Sequence, residues 1–296
     1  MSAGVNANGP SRLPMRLTAC LAIAAAMMAG CVSRDLHVSA RPDGHTIEAL
    51  RRHIDTIVVI YAENRSFDNL FGRFPGAHGL ADVLDSQGRP TSAYVPQRDR
   101  NGTVLGELPE TWGGVTAMGY RPAVTQSQSA GLPNAPFAVE TGFAPQSGVT
   151  LDTRVVTRDL AHRFFENQMQ IDSGRNDGFA AWTDAGGLTM AHYDTQHTAL
   201  MDLAKRFTIA DHFFQGAFGG SFLNHQYLIC ACAPEYPHAD TSAAKPRITV
   251  LDHDAGGHTT PWLAVDPHSP ASARAGPPRF IASTSIAPAN YFGAGT

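Results

Sequence analysis

Ile54-Asp55-Thr56-Ile57-Val58-Val59-Ile60-Tyr61 is the stretch on which the expected fold turns. It is β-branched and almost continuously apolar, the pattern of a central strand buried on both faces. Polarity switches on just after it, at Glu63-Asn64-Arg65-Ser66. In open α/β sheets, ligands bind beyond the carboxyl ends of the strands. A carboxylate and a carboxamide at that position offer hard oxygen donors to a cation. The plainer alternative pairs Glu63 with Arg65 and makes Asn64 the cap of a helix starting near Ser66.

Outward from this stretch, residues 86–150 are rich in Gly, Pro, Ser, Thr and Gln with little periodicity. A segment so long and irregular reads as a functional cover or a flexible insertion. Helical spacing returns over residues 155–169 and 198–205. Residues 207–210 and 248–251 read as short strands. Strands alternating with helices predict a mixed α/β sheet.

Phe218-Gly219-Gly220-Ser221-Phe222-Leu223-Asn224-His225 carries the second constellation. Two glycines allow a tight turn, and Ser221 then opens an apolar run suited to a helix. Unpaired N–H groups and the helix dipole favour phosphate there, and a metal beside the hydroxyl would activate it. The alternative is a Ser221 that only caps the helix. His225 lies one turn further on. Asp159-Leu160-Ala161-His162, on the predicted helix, places an imidazole where it could contact phosphate or protonate a leaving group. Asp172-Ser173-Gly174-Arg175-Asn176-Asp177-Gly178 and Asp211-His212 are further polar groups. Cys230 and Cys232 are one residue apart, where a disulfide is expected to be strained and two buried thiols are an equal alternative.

Composition narrows the function classes. The 296 residues carry a net charge of -4, which excludes a mainly electrostatic nucleic-acid binder. Four cysteines are too few for a disulfide scaffold of this length, whereas thirteen histidines are a generous supply of acid/base and metal-binding groups. HExxH, GxSxG and paired CxxC patterns do not occur in the sequence.

The N-terminus has the three parts of an export signal. Arg12 and Arg16 precede an uncharged apolar run that ends Met28-Ala29-Gly30-Cys31. Small residues just before a cysteine resemble the bacterial lipobox, which implies cleavage of residues 1–30 and acylation of Cys31. Residues 31–47 then read as a polar tether. The expected location is exported, as an outer-membrane or periplasm-facing lipoprotein that meets the membrane only through its lipid anchor.

Glu63-Asn64-Arg65-Ser66-Phe67-Asp68-Asn69-Leu70-Phe71-Gly72 resembles the opening motif of bacterial phosphoesterases. That family includes exported acid phosphatases and phosphatidylcholine-type phospholipases C. Residues 159–162 and 213–225 resemble its next two blocks, in the same order. The resemblance implies an alkaline-phosphatase-like α/β/α sandwich with a central mixed sheet, and residues 48–296 as the N-terminal portion of such a domain. It implies one divalent metal ion held by Glu63, Asn64 and Ser221, with Ser221 as nucleophile and His162 in the phosphate pocket beside Asn224 and His225. Serine at position 221 is more similar to the acid phosphatases, hence a small phosphomonoester substrate. The phospholipases C, acting on lipid diesters, are the alternative. A late acidic motif completes the family's metal site, and none follows Ser221 in this sequence. Weak turnover, or a silent lipoprotein that binds anions or a partner, is therefore a further expectation.

Overall fold

The computed structural model describes residues 44–233 and 248–283. The expected signal peptide, Cys31 and most of the tether lie outside them. The chain divides into two units, Met1–Tyr61 and Ala62–Thr296.

In the first unit, helix α1 (Gly44–His53) buries none of its residues. It begins inside the expected tether. Residues 54–61 then form no strand. Ile57, Val58 and Ile60 are each at least 80% exposed. The expected central strand is thus corrected: an isolated strand leaves its N–H and C=O groups unpaired, and no strand among the described residues pairs with this run.

The second unit builds its main core from the segment expected to be a cover. Leu105, Leu108, Val115, Val124, Leu132, Val139, Phe143, Leu151 and Val155 cluster with Ala180, Ala191 and Tyr193. The backbone there is paired by scattered loop-to-loop bonds, such as Leu108 N–H to the Leu132 carbonyl at 2.8 Å, and by side chains, rather than by a sheet. Asn134 is the clearest brace. Its Oδ1 accepts from the Gln97 N–H at 2.9 Å, and its Nδ2 donates to the carbonyls of Gln97 and Leu105, both at 2.8 Å. Arg100 donates to the carbonyls of Ala181, Pro270 and Gly276, tying two distant loops to one turn. A buried loop is tolerable only with such partners, because each unpaired peptide group costs about as much as a lost hydrogen bond.

Regular elements are short. Helix α2 (Phe67–Phe71) follows the polar switch. Strand β1 (Phe137–Ala138) pairs in parallel with β2 (Ala191–His192), Phe137 opposite Ala191. Helix α3 (Phe164–Ile171) lies between them in sequence, α4 (Ala199–Arg206) and α5 (Ser221–Cys230) after them. Strand β3 (Ile248–Thr249) pairs with β6 (Ala282–Ser283), and β4 (Leu251–His253) with β5 (Thr259–Leu263), both antiparallel. Phe165 and Met169 of α3 pack on Leu251 and Leu263 in a second core cluster.

This is a mixed α/β protein. The described residues form three two-stranded sheets and no central one. The helix at 198–205 matches its expected position closely, whereas the single strand expected at 248–251 is broken at Val250 into β3 and β4, which belong to different sheets. Residues 207–210 are not a strand: Phe207 ends α4, donating its N–H to the Leu203 carbonyl. Helix α3 starts at Phe164, not near residue 155. Val155 and Thr157 are buried while Val156 is exposed, a period of two, and the N–H groups of Ala117 and Arg158 bond across the Thr116–Thr157 bridge region. Cys230 and Cys232 are disulfide-bonded and exposed, not buried thiols. Ala231 between them adopts positive φ, and the two Cα atoms stand 5.2 Å apart, an ordinary span for a disulfide.

Candidate functional site

The polar motif after residue 61 is anchored by its middle. Ser66 is the N-cap of α2, its Oγ accepting from the Asn69 N–H at 3.3 Å. Asn69 donates from Nδ2 to the Ala191 carbonyl at 2.7 Å, and its own carbonyl accepts from the Tyr193 N–H at 2.8 Å. Thr195 Oγ1 donates to the Leu70 carbonyl. Gly72 is required at the end of α2, since a Cβ there would come within 2.6 Å of the Asp68 carbonyl oxygen.

Arg65 does not pair with Glu63. Its guanidinium donates to the Tyr193 hydroxyl at 2.9 Å and to Thr157 Oγ1 at 3.3 Å, and lies 4.5 Å from the Tyr193 ring centroid. Ser66, not Asn64, caps the helix. The plainer alternative for the pair therefore fails. Glu63 is exposed and joins none of the ion pairs among the described residues. Asn64 donates from Nδ2 to Asp159 Oδ1 at 3.4 Å. Its Oδ1 stays available as an acceptor.

Asp159 links this motif to His162, whose Nδ1 stands 3.7 Å from Asp159 Oδ1. The two residues lie on an irregular segment just before α3, not on a helix. That segment is pinned at both sides of one peptide. The Ala161 N–H donates to Asp184 Oδ1 at 3.1 Å, and the Ala161 carbonyl accepts from Gln170 Nε2 at 3.1 Å. Asp184 also pairs with Arg158. His162 Nδ1 lies 2.6 Å from the Leu160 carbonyl, which can only accept, so Nδ1 carries the proton. Nε2 is buried and without a hydrogen-bond partner. Nearby Glu166 is buried too. Loss of water raises its pKa, against the charge of Arg163, 3.7 Å away.

Ser221 is the first residue of α5, and Gly220 is the N-cap, so the serine is not the cap. The Gly219-Gly220 turn is tight: a Cβ on Gly219 would stand 3.3 Å from the Phe164 ring and 3.2 Å from Leu223. The start of α5 thus abuts the start of α3, two residues beyond His162. Asn224 is buried, with both ends of its carboxamide committed. Nδ2 donates to the Gly219 carbonyl at 2.8 Å and Oδ1 accepts from the Ala217 N–H at 3.1 Å. His225 Nδ1 donates to the Ser221 carbonyl at 2.7 Å. The Asn224 N–H bonds back to Gly220, while the N–H groups before it in the first turn have no acceptor within the helix.

Asn64, Asp159 and His162 are therefore gathered directly, and Ser221 only through the contact of two helix starts. Among the described residues no hydrogen bond joins the Ser221 hydroxyl to Glu63, Asn64 or His162, and no group of three His, Cys, Asp or Glu side chains is poised around a metal. The donor chemistry of Glu63, Asn64 Oδ1 and Ser221 Oγ nonetheless suits a hard divalent cation. Of the other polar groups, Asp177 is buried against Arg98 at 3.1 Å. Asp211 accepts from the His78 N–H at 2.8 Å, with the His78 and His212 rings edge-on at 5.0 Å. The supporting residues Asp184 and Gln170 escaped the sequence reading. The only signal for Asp184 is a carboxylate ahead of a Gly-Gly turn, which has no period to detect.

The model of the phosphoesterase family matches residues 54–258, most of the chain, and the protein belongs to that family. Membership implies phosphoric-ester hydrolysis as its chemistry. No curated protein and no solved structure is similar enough to match the chain.

Proposed function

We propose that the protein is an exported phosphomonoesterase of the acid phosphatase type, with Ser221 as nucleophile and His162 as proton donor. The observation that carries this reading is His162 Nε2, buried, unpartnered and held in a fixed orientation beside Asp159 and Asn64. A buried nitrogen without a partner costs stability, and such groups concentrate where a ligand supplies the missing bond.

Glu63, Asn64 Oδ1 and Ser221 Oγ would hold one divalent cation, which when bound lowers the pKa of a coordinated hydroxyl and offsets phosphoryl charge. The Ser221 Oγ–P bond forms as the ester oxygen leaves, and the hydroxyl proton passes to water. The leaving oxygen takes the proton that an imidazolium His162 holds at Nε2. Water then cleaves the Oγ–P bond, returning serine and releasing phosphate. The first-turn N–H groups of α5 face the developing charge. Asn224 and His225 serve by fixing the turn and the Ser221 carbonyl.

A phospholipase C reading has one observation in its favour. Phe213, Phe214 and Phe218, just before Ser221 in sequence, are all at least 60% exposed, apolar surface of the kind a lipid substrate needs. Assays of a chromogenic phosphomonoester and a phosphocholine diester, with several divalent metals, separate the two. Faster monoester turnover, reduced roughly 1,000-fold or more by Ser221→Ala, is expected. Diester preference would establish the lipase reading, and unchanged turnover in Ser221→Ala would remove the serine from the mechanism.

The proposal extends to residues outside the described ones. Cys31 would be the acylated N-terminus, which the mass of the membrane-associated protein tests.

A further inference from the structure

A cavity of about 430 Å³ opens beside the β1–β2 pair. Ser221, His162, Glu63 and Asn64 do not line it. Its wall includes Pro90, Pro133, Pro136 and Phe137, and Arg73 and His192 also line it. The volume is that of a small-molecule site, and the mainly apolar lining with few polar groups is the usual composition of one.

His192 is 4% exposed, yet its Nδ1 has no hydrogen-bond partner. Its place is fixed, because β2 pairs with β1 and sets His192 opposite Ala138. Burial, and then the charge of Arg73, push its pKa down to about 4, so the ring is neutral in ordinary conditions. A neutral imidazole can present Nδ1–H as a donor at no cost in charge.

Arg73 is exposed at the mouth and makes no hydrogen bond or ion pair among the described residues. Arg89, also at the mouth, is already committed, to Asp85 at 2.8 Å and to Gln87 Oε1 at 2.7 Å. The cavity therefore offers one positive charge, that of Arg73, beside the neutral ring of His192. That suits a single negative charge. Inorganic phosphate would leave the proline wall wet and bring more charge than one guanidinium offsets. Flat ring faces of proline and phenylalanine favour a planar apolar body.

We infer that this cavity binds an aromatic monocarboxylate, the ring against the Pro133 and Pro136 wall and the carboxylate on Arg73, beside His192. It is separate from the proposed catalytic residues and independent of the reading given to them.

Benzoate is the probe, titrated into the full chain by calorimetry and by ligand-observed NMR. Saturable binding at about millimolar concentration is expected, about tenfold tighter than that of neutral benzamide. Arg73→Gln, at an exposed position, should weaken benzoate about tenfold and leave benzamide unchanged. His192→Gln serves as the second variant, with circular dichroism to check that it folds. Equal affinity for benzoate and benzamide, or no effect of Arg73→Gln, would overturn the inference. So would inorganic phosphate displacing benzoate at equal concentration, which would make this a plain anion site. Absence of binding up to about 10 mM would also sink it.

Discussion

Residues 54–61 and residues 105–155 exchange the roles that their compositions suggest. The first run is a β-branched apolar stretch, and it lies exposed. The second is broken by Gly, Pro and polar residues, and it contains fully buried Val115, Val124 and Phe143. Burial of side chains is not the deciding variable. The peptide groups are. Residues 105–155 pair their backbone across loops, Leu108 N–H to the Leu132 carbonyl at 2.8 Å, Val115 N–H to the Val124 carbonyl and Leu151 N–H to the Glu140 carbonyl, both at 2.9 Å. Side chains add single bonds, Ser129 Oγ accepting from the Thr111 N–H and Asn134 Nδ2 donating to the Leu105 carbonyl. A bare strand has no such local partners and depends wholly on a neighbouring strand.

The contrast can be broken most directly in the core. Phe143→Ala should cost about 4 kcal/mol in urea unfolding, because the fully buried ring leaves a cavity. A loss under about 1 kcal/mol would mean that the irregular region is not the true core. Next, Asp184→Asn should cost about 2 kcal/mol, since it removes the partner of Arg158 and weakens the hold on Ala161. The same variant should lower turnover through misplacement of His162, and normal kinetics would deny Asp184 a positioning role.

Acid comes third. The pKa of His192 is about 4 in the folded state against 6.5 when free, so the unfolded chain takes up its proton first as pH falls. Stability should drop by about 2 to 3 kcal/mol between neutral pH and about pH 4, and His192→Gln should flatten that part of the profile. Ser66→Ala, which removes the cap of α2, is worth about 1 kcal/mol. The smallest effect sharpens the comparison from the other side. Val58→Thr should change stability by less than about 0.5 kcal/mol, because Val58 is 81% exposed. A larger loss would show that residues 54–61 find a sheet after all.

Parts of the site were legible before the fold. Ser221 opens a helix as its Gly-Gly turn indicated, and Thr198 caps α4, accepting from the Met201 N–H at 3.3 Å. Short-range chemistry of this kind is written in neighbouring residues. The Asp159 to His162 group was recognised as polar but misplaced on a helix. Its conformation is set by Asp184 and Gln170, and by a strand-like bridge to residue 116. None of those partners is near in sequence, so no periodicity could reveal them. The choice between a disulfide and two thiols at Cys230 and Cys232, left open by the sequence, is settled for a local reason. It depends on one residue, Ala231, adopting positive φ, which alanine seldom does.

The sequence by itself determined the family, the order of its motifs, the helix starts at Thr198 and Ser221, and the supply of oxygen and imidazole donors. Tertiary structure alone decided which apolar residues are inside, that Arg65 turns to Tyr193 and leaves Glu63 unpaired, and that His162 keeps one nitrogen free. The physical reason is the range of the forces involved. Caps and turns are settled within a few residues, whereas the cost of burying a peptide group or a charge depends on partners that only the folded chain brings near.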